Sequence, residues 1–239
     1  MRAHPRIVAL VAALAAAAPP LLAQRPDMGK TPITATAVRD SSGGTLVIRN
    51  PTQQTVIALA FIYTMRSADA SVLYAANGYY DSLIDPLTQQ AIKPGQEVRI
   101  PYRIPYSDAN PVVGVDAVLF ADGTTFGERN VVQTLYDRRN YTLVSLNKSI
   151  ADLKDALKNG TPRQQLISDF QRSMVIETSN AADQDLASCI QLVRSQVISA
   201  LVSARRPDGA PIPTQELIQS EIDLLNARRE ALRAAIVPK

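Results

Sequence analysis

Five carboxylates fall where chemistry could be assembled. Asp81 and Asp85 lie four residues apart beside Tyr79-Tyr80, and Asp116, Asp122 and Glu128 follow further along. A carboxyl pair flanking a glycosidic bond performs acid–base hydrolysis, one group protonating the leaving oxygen while the other activates water or attacks the sugar. Such pairs sit in deep clefts lined by aromatic rings. Turn capping accounts for Asp85-Pro86 and Asp122-Gly123 without any reaction. Asp108, Asn110 and Asp116 offer oxygen ligands of the kind calcium takes, but the spaced ligand series and hinge glycine of a calcium loop are missing. The run Ser107-Asp108-Ala109-Asn110-Pro111 reads as a turn, and no metal or cofactor site is expected.

Other chemistries are removed by composition. The only histidine is His4 and the only cysteine is Cys189. If an N-terminal segment carrying His4 is cleaved, Ser-His-Asp and Cys-His nucleophiles and histidine-rich zinc sites cannot be built. Cys189 lies in a helical apolar pattern and is expected to be buried as a small hydrophobe. There is no phosphate loop and no dinucleotide fingerprint. Asn140-Tyr141-Thr142 and Asn147-Lys148-Ser149 match the glycosylation triplet by coincidence, within an expected helix.

What remains is recognition. Asn77-Gly78 reads as a turn, which would expose one of the rings that follow, so Tyr79 and Tyr80 form the candidate interaction surface. Tyrosine brings area and a hydroxyl to an interface at small entropic cost. The competing reading packs both rings on the edge of a β structure. The charged pairs Arg138-Arg139, Arg205-Arg206 and Arg228-Arg229 read as solvated helix faces.

Several elements must position these residues. Met1 to Arg6 is short and basic, Ile7 to Ala18 is apolar, and Leu21-Leu22-Ala23 offers a small-residue site: the pattern of a secretory signal peptide. Cleavage is placed after Ala23, with Ala18 as the alternative site and an uncleaved anchor as the competing reading. Residues 24–30 form a flexible leader. Cleavage removes Arg2 and Arg6 and no acid from 25 basic and 22 acidic side chains, so the net charge falls from +3 to near +1. No basic patch then argues for nucleic acid. No later stretch is read as a membrane span, and the product is expected in the periplasm or outside the cell.

Residues 31–128 carry strand and turn signals. Ile33 to Val38, Thr45 to Arg49, Val56 to Met65, Ser71 to Ala75, Glu97 to Ile104, Val112 to Ala121 and Thr124 to Phe126 are the candidate strands, separated by Gly, Pro, Asn and Asp. The nearly all-apolar Val56–Met65 belongs in the centre of a sheet. Seven short strands in about 100 residues suit an immunoglobulin-like β-sandwich. Residues 129–239 change to helical periodicity, as in the stripe Leu143, Leu146, Ile150, Leu153, Leu157, which Gly160 ends. Thr161 is expected to cap the next helix and Thr214 to open the last. Three or four helices follow, with 161–206 forming either two helices or one kinked one. The fold class is α+β, an antiparallel sandwich followed by helices.

Asn50-Pro51 at a strand end, the apolar strand Val56–Met65, the turn Ile92-Lys93-Pro94-Gly95 and the run Val115-Asp116-Ala117-Val118-Leu119-Phe120-Ala121-Asp122-Gly123 resemble bacterial exported immunoglobulin-like domains, including the FxLYD type. The resemblance covers residues 31–130, and the Phe-x-Leu-Tyr-Asp string itself is absent. It implies an extracytoplasmic, non-catalytic accessory module and carries over no functional residues. Three functions follow in order: an interaction module for a protein or envelope component; a scaffold dimerised by the Leu143–Leu157 and Ile218–Ile236 stripes; and a carboxylate or Ser–Lys hydrolase.

Overall fold

The computed structural model describes residues 31–236 except 41–42, 68, 70, 87–88, 103–109, 206–209 and 211. The expected signal peptide and leader, and the Asp108 turn, lie outside the described residues. The strands are β1 (Thr34–Asp40), β2 (Gly43–Arg49), β3 (Val56–Arg66), β4 (Val72–Asp81), β5 (Glu97–Tyr102), β6 (Asn110–Phe120) and β7 (Thr125–Gly127). The helices are α1 (Arg129–Asn159), α2 (Arg163–Ser179), α3 (Gln184–Ser203) and α4 (Thr214–Ile236). The fold is α+β. Its strands pair antiparallel in two sheets, of order β1-β2-β5 and β4-β3-β6-β7.

β3 is apolar along most of its length because both of its faces are covered. Leu59 and Phe61 on one face join Leu46, Ile48 and Val118 in a core shared by the two sheets. Ala58 and Ala60 on the other face join Ala117, Leu119 and Leu135 of α1. The alanines keep this second face low, so α1 lies close against it. A bulge between Ala60 and Phe61 in the β3–β6 ladder adjusts the register between the faces. The buried Asn50 holds the loop before β3: its amide nitrogen donates to Gln54 O at 2.7 Å and Ile92 O at 2.8 Å.

α1 runs for 31 residues and serves two cores. Its first turns sit on the four-stranded sheet through Leu135. Its later turns place Leu146, Ile150 and Leu153 among Phe170, Val193, Val197, Leu201, Ile218 and Ile222. Ile84, just after β4, enters this helical core too. Residues Thr31–Lys239 form one compact unit, so the change from strand to helix at Glu128 falls inside it.

Helix ends follow the expected signals in part. Gly160 terminates α1 in the left-handed region at φ 62°. Thr161 does not cap α2: Pro162 occupies that position with no side-chain hydrogen bond. Asn180 closes α2, and the Asp183 carboxylate caps α3 by accepting from Leu186 N. Residues 161–206 therefore hold two helices. The stripes proposed for dimerisation are used inside the chain, since Leu146, Ile150, Leu153, Ile218, Ile222, Leu225 and Leu232 are all buried. α3 is long and apolar enough, by length and composition, to cross a membrane, which departs from the expectation of no such segment. In the fold its apolar stripe faces the helical core and its Arg194 is fully buried.

Candidate functional site

Among the described residues β4 is an edge strand, paired with β3 alone. Its burial changes along its length: Val72, Leu73 and Tyr74 are exposed, and Tyr80 and Asp81 are buried. Asn77-Gly78 lies inside this strand and is not a turn. Gly78 pairs with Phe61, whose ring would stand 2.3 Å from a Cβ at this position. Glycine is there to make room for the ring, which is why a turn signal occurs mid-strand.

The two candidate tyrosines separate because neighbours on a strand face opposite ways. Tyr80 points into the shared core at 3% exposure and donates its hydroxyl to Gln90 O. It is not presented to a partner. Tyr79 faces the helices. The Arg138 guanidinium stands over its ring at 4.0 Å from the centroid, a cation–π contact. Arg138 also pairs with Asp185 at the start of α3, and Tyr141 donates to Asp183 at 3.0 Å. Burial raises the Tyr79 pKa above its ordinary value, and the Asp185 charge adds to this.

A groove of about 550 Å³ runs along the β4 backbone from Tyr74 to Tyr79, with Arg138, Gln184, Asp185 and Ser188 forming its far wall. Tyr74, at one end of this lining, stacks its ring obliquely on that of Tyr63, 5.7 Å apart. Burial and the Tyr74 contact push the Tyr63 pKa up to about 12. Among the described residues no hydrogen bond reaches the outer edge of β4 between Val72 and Tyr80. Its exposed N–H and C=O groups form a row with the spacing of an extended chain.

The carboxylates do other work. Asp81 is buried at 4% exposure; its Oδ2 accepts from Arg139 Nε at 2.7 Å and its Oδ1 from Leu83 N at 2.9 Å. Asp85 accepts from Gln196 Nε2 at 2.9 Å. Asp122 accepts from Thr124 Oγ1, from Thr124 N and from Gln54 Nε2, and these hydrogen bonds hold its carboxyl below the ordinary range. Each of these three is engaged in structure. Cys189 is free and buried, and burial raises its pKa.

Of three arginines on the helices, Arg139 and Arg194 are interior and Arg228 is half-buried. Arg139 is 1% exposed and joins α1 to the end of β4. Arg194 lies within 2.7 Å of Asp152 and 2.8 Å of Glu177, over the Phe170 ring, and so joins α1, α2 and α3. Arg228 donates to Gln196 Oε1 and to Ile84 O, tying α4 to α3 and to the turn after β4. The signal for all three was position: each sits on or beside an apolar stripe, as in Ile218, Glu221, Leu225, Arg228, Leu232. Among the described residues no group of three or more metal-binding side chains gathers.

No family model matches the chain, and no curated protein matches it.

Proposed function

We propose that this is a non-catalytic exported protein that captures an extended segment of a cell-envelope partner by adding it as a strand to the free edge of β4. The observation that carries this reading is the β4 edge itself: unpaired among the described residues over Val72–Tyr80, exposed at Val72, Leu73 and Tyr74, and bordered by a groove from Tyr74 to Tyr79. Strand addition draws affinity from main-chain hydrogen bonds and specificity from alternate side chains, and an edge of this kind accepts only an extended occupant. Arg138 and Asp185 on the groove's far wall give the added strand's inward side chains a polar surface.

The strand order supports the immunoglobulin-like reading. β2 pairs with β5 and β3 with β6, as expected of a Greek-key sandwich, while β4 stands beside β3 and not in the β1-β2-β5 sheet. The signal-peptide pattern of residues 1–23 supports export to the periplasm or beyond. Engagement of Asp81, Asp85 and Asp122 in ion pairs and turns weighs against the hydrolase.

The test is peptide binding. Peptides selected from a random library are expected to be extended and proline-poor, and Val72→Lys with Leu73→Lys is expected to weaken them at least tenfold with an unchanged melting temperature. Undiminished binding to that double variant overturns the reading.

A further inference from the structure

A second cavity, of about 240 Å³, lies at the other end of β4 from Val72. Its walls are almost entirely apolar, from Leu83 and Pro86 after β4, Ala200 of α3, and Leu224 and Leu225 of α4. Leu225 is buried and Leu224 is 51% exposed, so the apolar lining runs out to the surface. Small-molecule sites have this form: apolar walls with one or two polar groups that fix the ligand's orientation.

Arg228 supplies such a group. Its Nη1 donates to Gln196 Oε1 and its Nη2 to Ile84 O, and these bonds hold the guanidinium against α3 and the turn after β4. Its Nε differs. Among the described residues this donor is buried and has no hydrogen-bond partner. A guanidinium carries five N–H donors, and a buried one left unmet loses its water without return.

The Nε lacks an acceptor, not a counter-charge. Asp85 and Glu221 both act on the guanidinium to favour its charged form. Gln196 gives its carbonyl to Arg228 and its amide to Asp85. A further anion would stand beside those carboxyl groups within apolar walls, and a cation would stand beside Arg228. Both are unfavourable where the dielectric is low. We propose that this cavity binds a small, neutral, apolar molecule with a single oxygen acceptor, such as a ketone or an ester, its hydrocarbon part against Leu83, Ala200 and Leu225 and its oxygen accepting from Arg228 Nε. The ligand supplies the hydrogen bond that the fold leaves open. This site is independent of strand capture at β4.

The test uses matched ring compounds on the protein, followed by saturation-transfer NMR and calorimetry. Cyclohexanone carries the acceptor, and methylenecyclohexane has the same shape with a methylene group in place of the oxygen. Both are expected to bind, and of the two cyclohexanone alone is expected to shift the Arg228 Nε–H resonance. Arg228→Lys keeps the charge and removes the Nε donor. It is expected to weaken cyclohexanone by about tenfold or more and to leave methylenecyclohexane unchanged. Cyclohexylammonium and cyclohexanecarboxylate are expected to bind more weakly than cyclohexanone, by about tenfold or more. Ala200→Phe, which narrows the cavity, is expected to abolish binding of both neutral rings while the far-ultraviolet circular dichroism stays the same. No binding of either neutral ring, an Nε–H resonance that ignores cyclohexanone, equal loss of both neutral rings in a folded Arg228→Lys, or charged rings that bind as well as cyclohexanone each overturns the proposal.

Discussion

Arg139 of α1 donates from Nε to Oδ2 of Asp81 at 2.7 Å, and both side chains are almost wholly inside the protein. The contact bridges 58 residues of sequence and fastens the long helix to the last residue of β4. Asp81 also accepts from Leu83 N, so the same carboxylate shapes the turn that delivers Ile84 to the helical core. Breaking one half strands a buried charge. Asp81→Ala or Arg139→Ala is expected to cost about 3–5 kcal/mol each, measured by urea unfolding. The double variant Asp81→Ala with Arg139→Ala should cost less than the two singles together. Strict additivity would mean that the ions do not interact.

Gly78 is expected to resist even the smallest substitution. A Cβ there meets the Phe61 ring at 2.3 Å, so Gly78→Ala should destabilise by about 1–3 kcal/mol through overpacking. Phe61→Leu in the Gly78→Ala background should recover part of that loss. Equal stability of Gly78→Ala and wild type by thermal unfolding contradicts the packing at this pair.

Glu221 makes stability depend on pH in a stated direction. Burial raises its pKa in the folded chain, so the folded state holds the proton to higher pH than the unfolded state does. Its contribution is therefore most favourable below the unfolded value, about 4.3, and declines as pH rises through the folded value. The charges facing it are Arg228 on its own helix and, through Arg228, Asp85 on the turn after β4. Glu221→Gln is expected to be more stable than wild type at about pH 8 and indistinguishable from it at about pH 3.5 by urea unfolding. A variant less stable than wild type at about pH 8 contradicts a net cost of burying this carboxylate.

Arg194 is expected to be a structural joint. It is fully buried between Asp152 and Glu177, and its removal leaves Glu177 with only Lys148, 2.9 Å away. Arg194→Met keeps the packing on Phe170 and loses the ion pairs, so it isolates the electrostatic part. A loss of about 3 kcal/mol in chemical unfolding is expected. Retention of wild-type stability would show that the desolvation cost of Arg194 cancels its pairing.

Much of the element order was legible in local pattern. The unbroken apolar run of β3, the Asp122-Gly123 hairpin and the Gly160 stop each follow from one residue's conformational needs or from burial on two faces. Asn77-Gly78 misled because glycine ordinarily marks a turn, and here its role is set by Phe61 on the neighbouring strand. Tyr79 and Tyr80 read as one interaction surface, but strand alternation sends Tyr80 into the core, and the assumed turn hid the strand. Arg139, Arg228 and Glu221 were misread or passed over because charge was taken to mean solvent. Their positions on apolar stripes were the better guide, and their partners lie on other elements that no local spacing indicates.

Hydrogen–deuterium exchange on the protein with a library-selected peptide tests strand capture most directly. The account predicts slowed exchange of the backbone amides between Val72 and Gly78, with no comparable change in α4. Protection confined to the helices, with β4 exchanging as in the free protein, would contradict it.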